Sequence, residues 1–368
     1  MRILLFTLEY PPFKGGIANY YGNLIKHWPE PDKIFILHNN QGRLIKNWLL
    51  PKWLLAIWHL RKNIKKNKIG HVLVGHILPL GTATYLIFKI NKVKYSVFLH
   101  GMDFTFAIKS PRKRWLTKKI LKNTANIICA NAYTAKLVKD FLKTDITNNT
   151  IKVINPGINS QATRNTRLGA RQVQHETRIK ERYNLENKFV LLTVGRLVKR
   201  KGMDTVLASL PATLKQVPNL VYVIVGNGPE LTNIQSLITK LKLEKNVIII
   251  TNADDKERNV WYNICDIFIM PARNIDGDFE GFGIVYLEAN LTSKPVIAGD
   301  SGGVKDAVVN GLNGLLVNPE STKEITKAII RLAHDKNLRE KLGEQGRQRA
   351  IKEFSWEKQV KKIYNIIK

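Results

Sequence analysis

Cysteine is nearly absent from this 368-residue chain: there are two, Cys129 and Cys265, far apart and each inside an apolar run. A disulfide framework or a zinc site would need more ligands or closer spacing, so both are expected as buried, reduced thiols. Acidic residues are scarce too, 29 against 59 Lys and Arg, leaving a net charge of +30. Long apolar runs are missing, and nothing approaches the roughly 20 residues needed to cross a bilayer. The opening MRILLFTLEYPP has a short apolar part, is interrupted by Glu9 and carries no small-residue cleavage site. It does not read as a signal peptide, and the expected location is cytoplasmic. The GxGxxG turn of dinucleotide-binding proteins is also lacking, which argues against a Rossmann oxidoreductase.

What is present is the composition of a globular protein, 44% hydrophobic, with enough chain for two domains. The positive charge is uneven. Residues 1–160 hold 26 Lys and Arg against 6 Asp and Glu, whereas the remainder holds 33 against 23. An excess gathered on one half suits a polyanionic neighbour, either nucleic acid or an anionic membrane, unless it reflects a generally Lys-rich composition.

Short, nearly continuous apolar runs recur between segments long enough for crossover helices. In the first half they are 2–7, 33–38, 71–76, 95–100, 126–131 and 151–156; in the second, 189–195, 220–226, 246–251, 266–271, 295–299 and 314–317. Strands covered on both faces have this character. The alternation predicts an α/β protein with two doubly wound, Rossmann-like domains. The expected division is a first domain over 1–160, a polar linker over 161–180, a second domain over 181–350 and a packing helix over 351–368. Ligands of such sheets bind beyond the carboxyl ends of the strands, so the residues just after each strand are the candidates.

Five segments stand there. Gly15 and Gly16 precede a helix, where bare amides can meet a phosphate, although an ordinary turn has the same spelling. His100 ends the fourth run and could donate to a substrate oxygen or transfer a proton; His38 and His76 also end strands, so position alone does not select it. Arg196 and Lys201 lie in GRLVKRKG, where a planar fork and a point charge would together neutralise a diphosphate. In EGFGIVYLE, Glu280 precedes Gly281, Phe282 and Gly283, and Glu288 lies eight positions on. If helical throughout, that spacing spans about 12 Å, beyond the roughly 5–9.5 Å of paired glycosidase carboxylates. It suits two ends of one elongated ligand. Asp276-Gly277-Asp278 spells a D-x-D metal pattern, but no third ligand is near in sequence and two aspartates in a polar loop are usually solvated.

Taken in order, these motifs resemble the retaining glycosyltransferase family four, of GT-B fold, over essentially the whole chain. The wording ARNIDGDFEGFGIVYLEA is similar to that of bacterial phosphatidylinositol mannosyltransferases. A later segment, SGGVKDAVVNGLNGLLV, also resembles the family's, with Lys305 and Asp306 in place of its usual Pro-Glu. The resemblance implies a donor bound in a cleft between two domains, with no cofactor and no metal. Arg196 and Lys201 would hold the diphosphate, assisted by amides around Gly283, Ile284 and Val285. Glu288 would hold the ribose, Glu280 would orient the transferred sugar, His100 would contact that sugar near its reacting carbon, and Gly15 and Gly16 would close over the donor. The donor would be a GDP-sugar or a UDP-sugar, with mannose favoured, and the acceptor a lipid-linked or other glycan.

Two segments suit work on the inner face of a membrane. Residues 48–66 combine Trp48, Trp53 and Trp58 with a basic tail, though a crossover helix with its apolar face buried would read the same. Residues 109–122 hold seven Lys or Arg and Trp115. A non-catalytic nucleic-acid-binding protein is the rival suggested by charge, but no signature of that class is present. A phosphorylase or a sugar-nucleotide epimerase of similar architecture stays open.

Overall fold

The structure, a computed structural model, describes residues 1–13, 15–47, 49, 51–143, 150–159 and 170–368. They form two compact units, 1–157 with 356–368, and 158–355. All twelve expected strands are present, in two six-stranded parallel sheets.

In the first unit the order of elements is β1 (Ile3–Thr7), α1 (Gly16–Lys26), β2 (Ile34–His38), α2 (Leu54–Asn67), β3 (His71–Val74), α3 (Leu80–Asn91), β4 (Lys94–Leu99), α4 (Met102–Ala107), α5 (Pro111–Lys122), β5 (Asn126–Cys129), α6 (Ala132–Leu142) and β6 (Thr150–Val153). The strands lie in the order β2-β1-β3-β4-β5-β6. Order reverses between β1 and β3, where Ile3 pairs with His71 and Phe6 with Val74. That reversal is the topological switch point. β1 and β3 are buried along their whole length, as their nearly continuous apolar spelling requires.

The second unit continues with α7 (Ala170–Arg182), β7 (Phe189–Val194), α8 (Met203–Leu214), β8 (Leu220–Val225), α9 (Leu231–Lys240), β9 (Val247–Ile250), α10 (Asp255–Ile264), β10 (Ile267–Met270), α11 (Ile284–Leu291), β11 (Val296–Gly299), α12 (Val304–Ala307), β12 (Gly314–Val317), α13 (Thr322–His334) and α14 (Lys336–Glu353). Its sheet runs β12-β11-β10-β7-β8-β9, with the switch point between β7 and β10.

Two expectations need correction. Residues 170–180, assigned to a linker, belong to α7, which packs against α10; its apolar face carries Ile179, buried in the second unit's core. The rest of that linker lies outside the described residues. The closing segment is also not one helix over 351–368. Residues up to Glu353 complete α14, and α15 (Trp356–Ile367) follows as a separate helix. α15 joins the first unit, because Trp356, Val360, Ile363 and Ile367 recur at helical spacing and bury against Tyr20, Leu24 and Phe98. Both cysteines are buried, free thiols.

Candidate active site

In the second unit, the loops leaving β7 and β10 meet over the switch point. The loop after β7 makes a short 3-10 turn, Lys199–Lys201, and then passes through Gly202 in a left-handed conformation, φ +76°, to start α8. A Cβ on Gly202 would lie 2.3 Å from the carbonyl oxygen of Pro271, so only glycine lets the two loops touch. This approach carries Lys201 Nζ to 2.6 Å from Glu280 Oε2, to which it donates. Arg200 donates to the same oxygen at 2.6 Å, and its Nε lies 2.9 Å from Asp278 Oδ1. Arg273, itself buried, pairs with Asp204 at 2.6 Å and donates its main-chain N–H to the carbonyl of Arg200, which ties the two loops together again.

Lys201 is only 8% exposed, and an ammonium so far from water needs a counter-charge. Glu280 supplies it. Burial pushes the Glu280 carboxyl up, but the adjacent Lys201 and Arg200 outweigh burial and hold it below its ordinary range. The ammonium has three hydrogens and spends one on Glu280, which leaves donors for a ligand. Asp276 and Gly277 both have positive φ and form a two-residue turn that closes Ile275 onto Asp278. This is hairpin chemistry, and it places Asp278 against Arg200.

Beyond Glu280, Gly281 is half-buried and Phe282 packs on Phe354 with ring centroids 5.6 Å apart. Gly283 adopts φ +79°, and a Cβ there would strike the Tyr286 ring at 2.3 Å. α11 therefore begins sharply at Ile284, with the first amides, those of Ile284 and Val285, lacking partners inside the helix and carrying the positive end of its dipole. The conditional reading of Glu280 to Glu288 as one helix is corrected by this start: only Ile284 onward is helical. Glu288 stands one turn in and accepts the Tyr262 hydroxyl proton at 2.7 Å. Gly303 N–H donates to the Glu280 carbonyl at 2.9 Å, so the SGGVKD loop supports the same residue through its backbone. Lys305 pairs with Asp300 at 2.8 Å on the surface.

The first unit has its own polar cluster at the carboxyl ends of β1, β3 and β4. Leu8 N–H donates to His76 Nδ1 at 3.3 Å, across the β1/β3 switch point, and His76 Nε2 lies 3.9 Å from Glu9 Oε1. His100 Nε2 lies 2.9 Å from the Tyr21 hydroxyl, which donates to the carbonyl of Gly75 at 2.7 Å. Asp103 Oδ1 accepts the main-chain N–H groups of His100, Gly101 and Phe104, each at 2.9 Å. Gly15 is the extended residue before α1 and lies beside Glu9, and Gly16 opens the helix.

The structure thus gathers Lys201, Glu280 and Gly283, and separately His100 with Gly15 near Glu9. Arg196 is exposed and takes no part in the ion-pair cluster, whose second cation is Arg200. The 3-10 turn Lys199–Lys201 brings Arg200 to Glu280 and folds the Lys201 side chain back to the end of β7, where a Cβ on Gly195 would lie 3.9 Å from its Nζ. Sequence reasoning missed Arg200, Tyr262 and Tyr21. Arg200 was visible only as one cation in the run Lys199–Lys201, and the tyrosines were indistinguishable from core residues.

Paired six-stranded parallel sheets with these strand-end sites define the class: a GT-B glycosyltransferase fold. The whole chain superposes on HepE of Anabaena in complex with UDP, with a TM-score of 0.80, covering 100% of this chain and 99% of that one at 18% identity. Residues 15–162 match the family model Glycosyltransferase Family 4, and residues 175–349 match Glycosyl transferases group 1. The chain belongs to this glycosyltransferase family. Among its relatives are the GDP-mannose-dependent alpha-(1-6)-phosphatidylinositol monomannoside mannosyltransferase of Mycolicibacterium smegmatis, 26% identical over 96% of this chain and 95% of that protein. The GDP-mannose-dependent monoacylated alpha-(1-6)-phosphatidylinositol monomannoside mannosyltransferase of Corynebacterium glutamicum is 26% identical over 100% and 97%.

Proposed function

We propose that this enzyme transfers a hexose, mannose by preference, from a nucleoside diphosphate sugar to a lipid-linked or other glycan acceptor, with retention and without a metal ion. The observation that carries this reading is the buried Lys201–Glu280–Arg200 cluster beside the free amides of α11. Departure of a nucleoside diphosphate develops negative charge, and fixed cations with aligned amides can receive it without reorganisation. Lys201 and the amides of Gly283, Ile284 and Val285 hold the diphosphate, with Arg196 approaching it from the surface. Glu280 orients the sugar while keeping Lys201 in place, and Glu288 takes the ribose hydroxyls, with Tyr262 fixing one carboxylate oxygen. His100 meets the transferred sugar, and Gly15 and Gly16 close over the donor. GDP-mannose is favoured because the relatives named above use it.

The acceptor lies at a membrane surface in this reading. Among the described residues no helix is long and apolar enough to cross a bilayer, but the first unit exposes large apolar side chains among lysines. Trp115 on α5 is 63% exposed. Lys119 lies over its ring at 5.8 Å. α2 buries Ala56, Leu60 and Ile64 as a crossover helix does, yet leaves Trp58 outside, with Lys62 over it at 4.9 Å. Trp48 lies outside the described residues. Aromatic and basic side chains together suit the interface of anionic lipids on the cytoplasmic face.

The test is thermal stabilisation by GDP, UDP, ADP and NAD with chelator present, followed by turnover of the sugar form of whichever nucleotide binds. Stabilisation by GDP, and transfer of mannose that survives chelation, is the expected result. Stabilisation by NAD alone would defeat the reading.

A further inference from the structure

The polar cluster of the first unit determines which nitrogen of His100 carries its proton. Tyr21 is fully buried, and its hydroxyl has a single hydrogen, given to the Gly75 carbonyl oxygen at 2.7 Å. A carbonyl oxygen can only accept. The same hydroxyl lies 2.9 Å from His100 Nε2. With its own proton committed, the hydroxyl meets Nε2 as an acceptor, so Nε2 carries the hydrogen. In the neutral ring Nδ1 is then a bare lone pair.

The ring is held firmly around that arrangement. Tyr20 meets it edge-on at 4.9 Å, Phe98 lies nearly parallel at 6.4 Å, and the His100 main-chain N–H is fixed by Asp103. His100 is part-exposed, and Nδ1 has no hydrogen-bond partner among the described residues. It stands at the carboxyl end of β4, where ligands of a doubly wound sheet bind. The groups facing the ring come from every neighbouring element. Burial lowers the His100 pKa, Asp103 in the first turn of α4 raises it, His76 after β3 lowers it and Glu9 after β1 raises it, and burial prevails. Tyr20 and Tyr21 on α1 stay protonated because burial raises both.

We propose that Tyr21 is a positioning residue that holds neutral His100 in its Nε2–H form, so that Nδ1 accepts a hydrogen bond from a hydroxyl of the transferred sugar. This rests on the glycosyltransferase reading above and goes beyond it in naming the accepting atom and the residue that sets it. Replacing Tyr21 by Phe leaves a buried Nε2–H without an acceptor. The ring then moves its proton to Nδ1 and loses the lone pair it offered.

The experiment uses the full chain labelled with 15N-histidine. His100 is identified by the signal missing from His100→Asn, and two-bond couplings report which nitrogen is protonated. Wild type should show the Nε2–H form, and Tyr21→Phe the Nδ1–H form or a mixture. Transfer is then measured with donors lacking one sugar hydroxyl at a time. Wild type should lose about threefold to tenfold in kcat/KM with one of them, the worth of a single neutral hydrogen bond. Tyr21→Phe should show that loss with the intact donor and no further penalty with that deoxy donor. His100→Asn, whose amide oxygen can stand where Nδ1 stood, should retain more activity than His100→Gln, which reaches toward the Nε2 position. An Nδ1–H form in wild type, or a Tyr21→Phe enzyme that discriminates among deoxy donors as wild type does, would overturn the proposal. Absence of turnover with every nucleoside diphosphate sugar would defeat the functional reading and the sugar contact with it, whereas the spectrum separately decides the Tyr21–His100 part.

Discussion

The two units share a topology and differ in what they place at the ends of their strands. In the second unit the switch point carries ions: Lys201, Arg200 and Glu280, joined by Asp278. In the first it carries a cluster built mainly from hydroxyls and imidazoles, Tyr21, His76 and His100, with the carboxylates of Glu9 and Asp103 beside them. The surfaces differ in the other direction. The first unit has most of the excess positive charge and exposes Trp58, Ile90, Phe106 and Trp115, whereas the second exposes no aromatic side chain of that size among its described residues. Internal ions suit a diphosphate, which arrives with charge. Neutral donors and acceptors suit sugar hydroxyls, which do not. On the proposed function, the diphosphate and the transferred sugar of one donor would therefore be recognised by different chemistry.

The sharpest way to break this comparison is at Glu280. Replacing it by Ala leaves Lys201 buried beside Arg200 with no carboxylate between them. Removing one partner of a buried pair costs about 3–5 kcal/mol, so Glu280→Ala should lower the denaturant midpoint of the second unit substantially. Glu280→Gln, which keeps the packing and two polar atoms, should lose less stability. Lys201→Ala leaves Glu280 with Arg200 and should cost little stability, but about a hundredfold or more in kcat, as loss of a fixed donor to developing charge does. Equal stability of Glu280→Ala and wild type would show that Lys201 does not depend on it.

Acid should separate the units next. His71 is buried beside Ser96, with a hydrogen bond of 2.9 Å, and burial lowers its pKa from 6.5 to about 4. Between those values the unfolded chain binds a proton that the folded chain refuses, so stability rises with pH. The effect is absent above pH 6.5 and complete below about pH 4, worth about 3 kcal/mol across the window. The second unit has only His175 and His334, both exposed, and its Glu280 contribution is present above pH 4.5 and lost only as pH falls through the lower folded value. Urea unfolding at pH 5 and 7.5 should therefore show the first unit weakening alone. Trp261, the second unit's sole tryptophan, reports that unit, and His71→Asn should flatten the first unit's response.

A smaller effect belongs to the surface. Each cation near an anionic membrane is worth about 1 kcal/mol, so removing Lys113 and Lys118 together should weaken binding to phosphatidylserine vesicles about tenfold or more, less so at high salt. Trp115→Ala should weaken it at every salt concentration. Nucleotide-induced stabilisation in solution should be unchanged in both. Vesicle binding that ignores all three side chains would return the charge of the first unit to another polyanion.

Much of this was legible in the sequence, and for a definite reason. Strands buried on both faces must spell nearly continuous apolar runs, so all twelve appeared in the letters, and with them the strand ends where polar clusters gather. Glu280, Gly283 and Lys201, which the structure brings together, were singled out that way. Arg200, which joins Lys201 on Glu280, was not singled out beside Arg196 because a three-residue 3-10 turn has no distinct spelling in a run of cations. α7 reads as linker because its sequence is polar, and among its described side chains only Ile179 is buried. α15 gave away its helical period but not its destination, since an amphipathic face does not name the core it will join. Tyr21 was invisible for the opposite reason: a buried aromatic at helical spacing is ordinary, and only its hydroxyl, 2.7 Å from the Gly75 carbonyl, distinguishes it.

The smallest expected effect discriminates most between two chemistries. Asp276-Gly277-Asp278 spells a metal motif, yet its residues form a tight turn and Asp278 faces Arg200. The Asp278 side chain is 42% exposed, and water screens a pair so placed, so Asp278→Asn should cost under about 1 kcal/mol of stability. Its effect on transfer should be a few-fold at most, through slight loosening of Arg200, and should be the same with manganese, magnesium or chelator present. A metal-holding aspartate behaves otherwise: its loss would abolish activity, or shift the metal concentration required for it. A large loss in Asp278→Asn that excess divalent cation restores would place a metal in the second unit and withdraw from Lys201 and the α11 amides the task of receiving the leaving group's charge. A small loss, indifferent to metal, would leave that charge to them and make the ionic character of this switch point the property that sets it apart from its counterpart in the first unit.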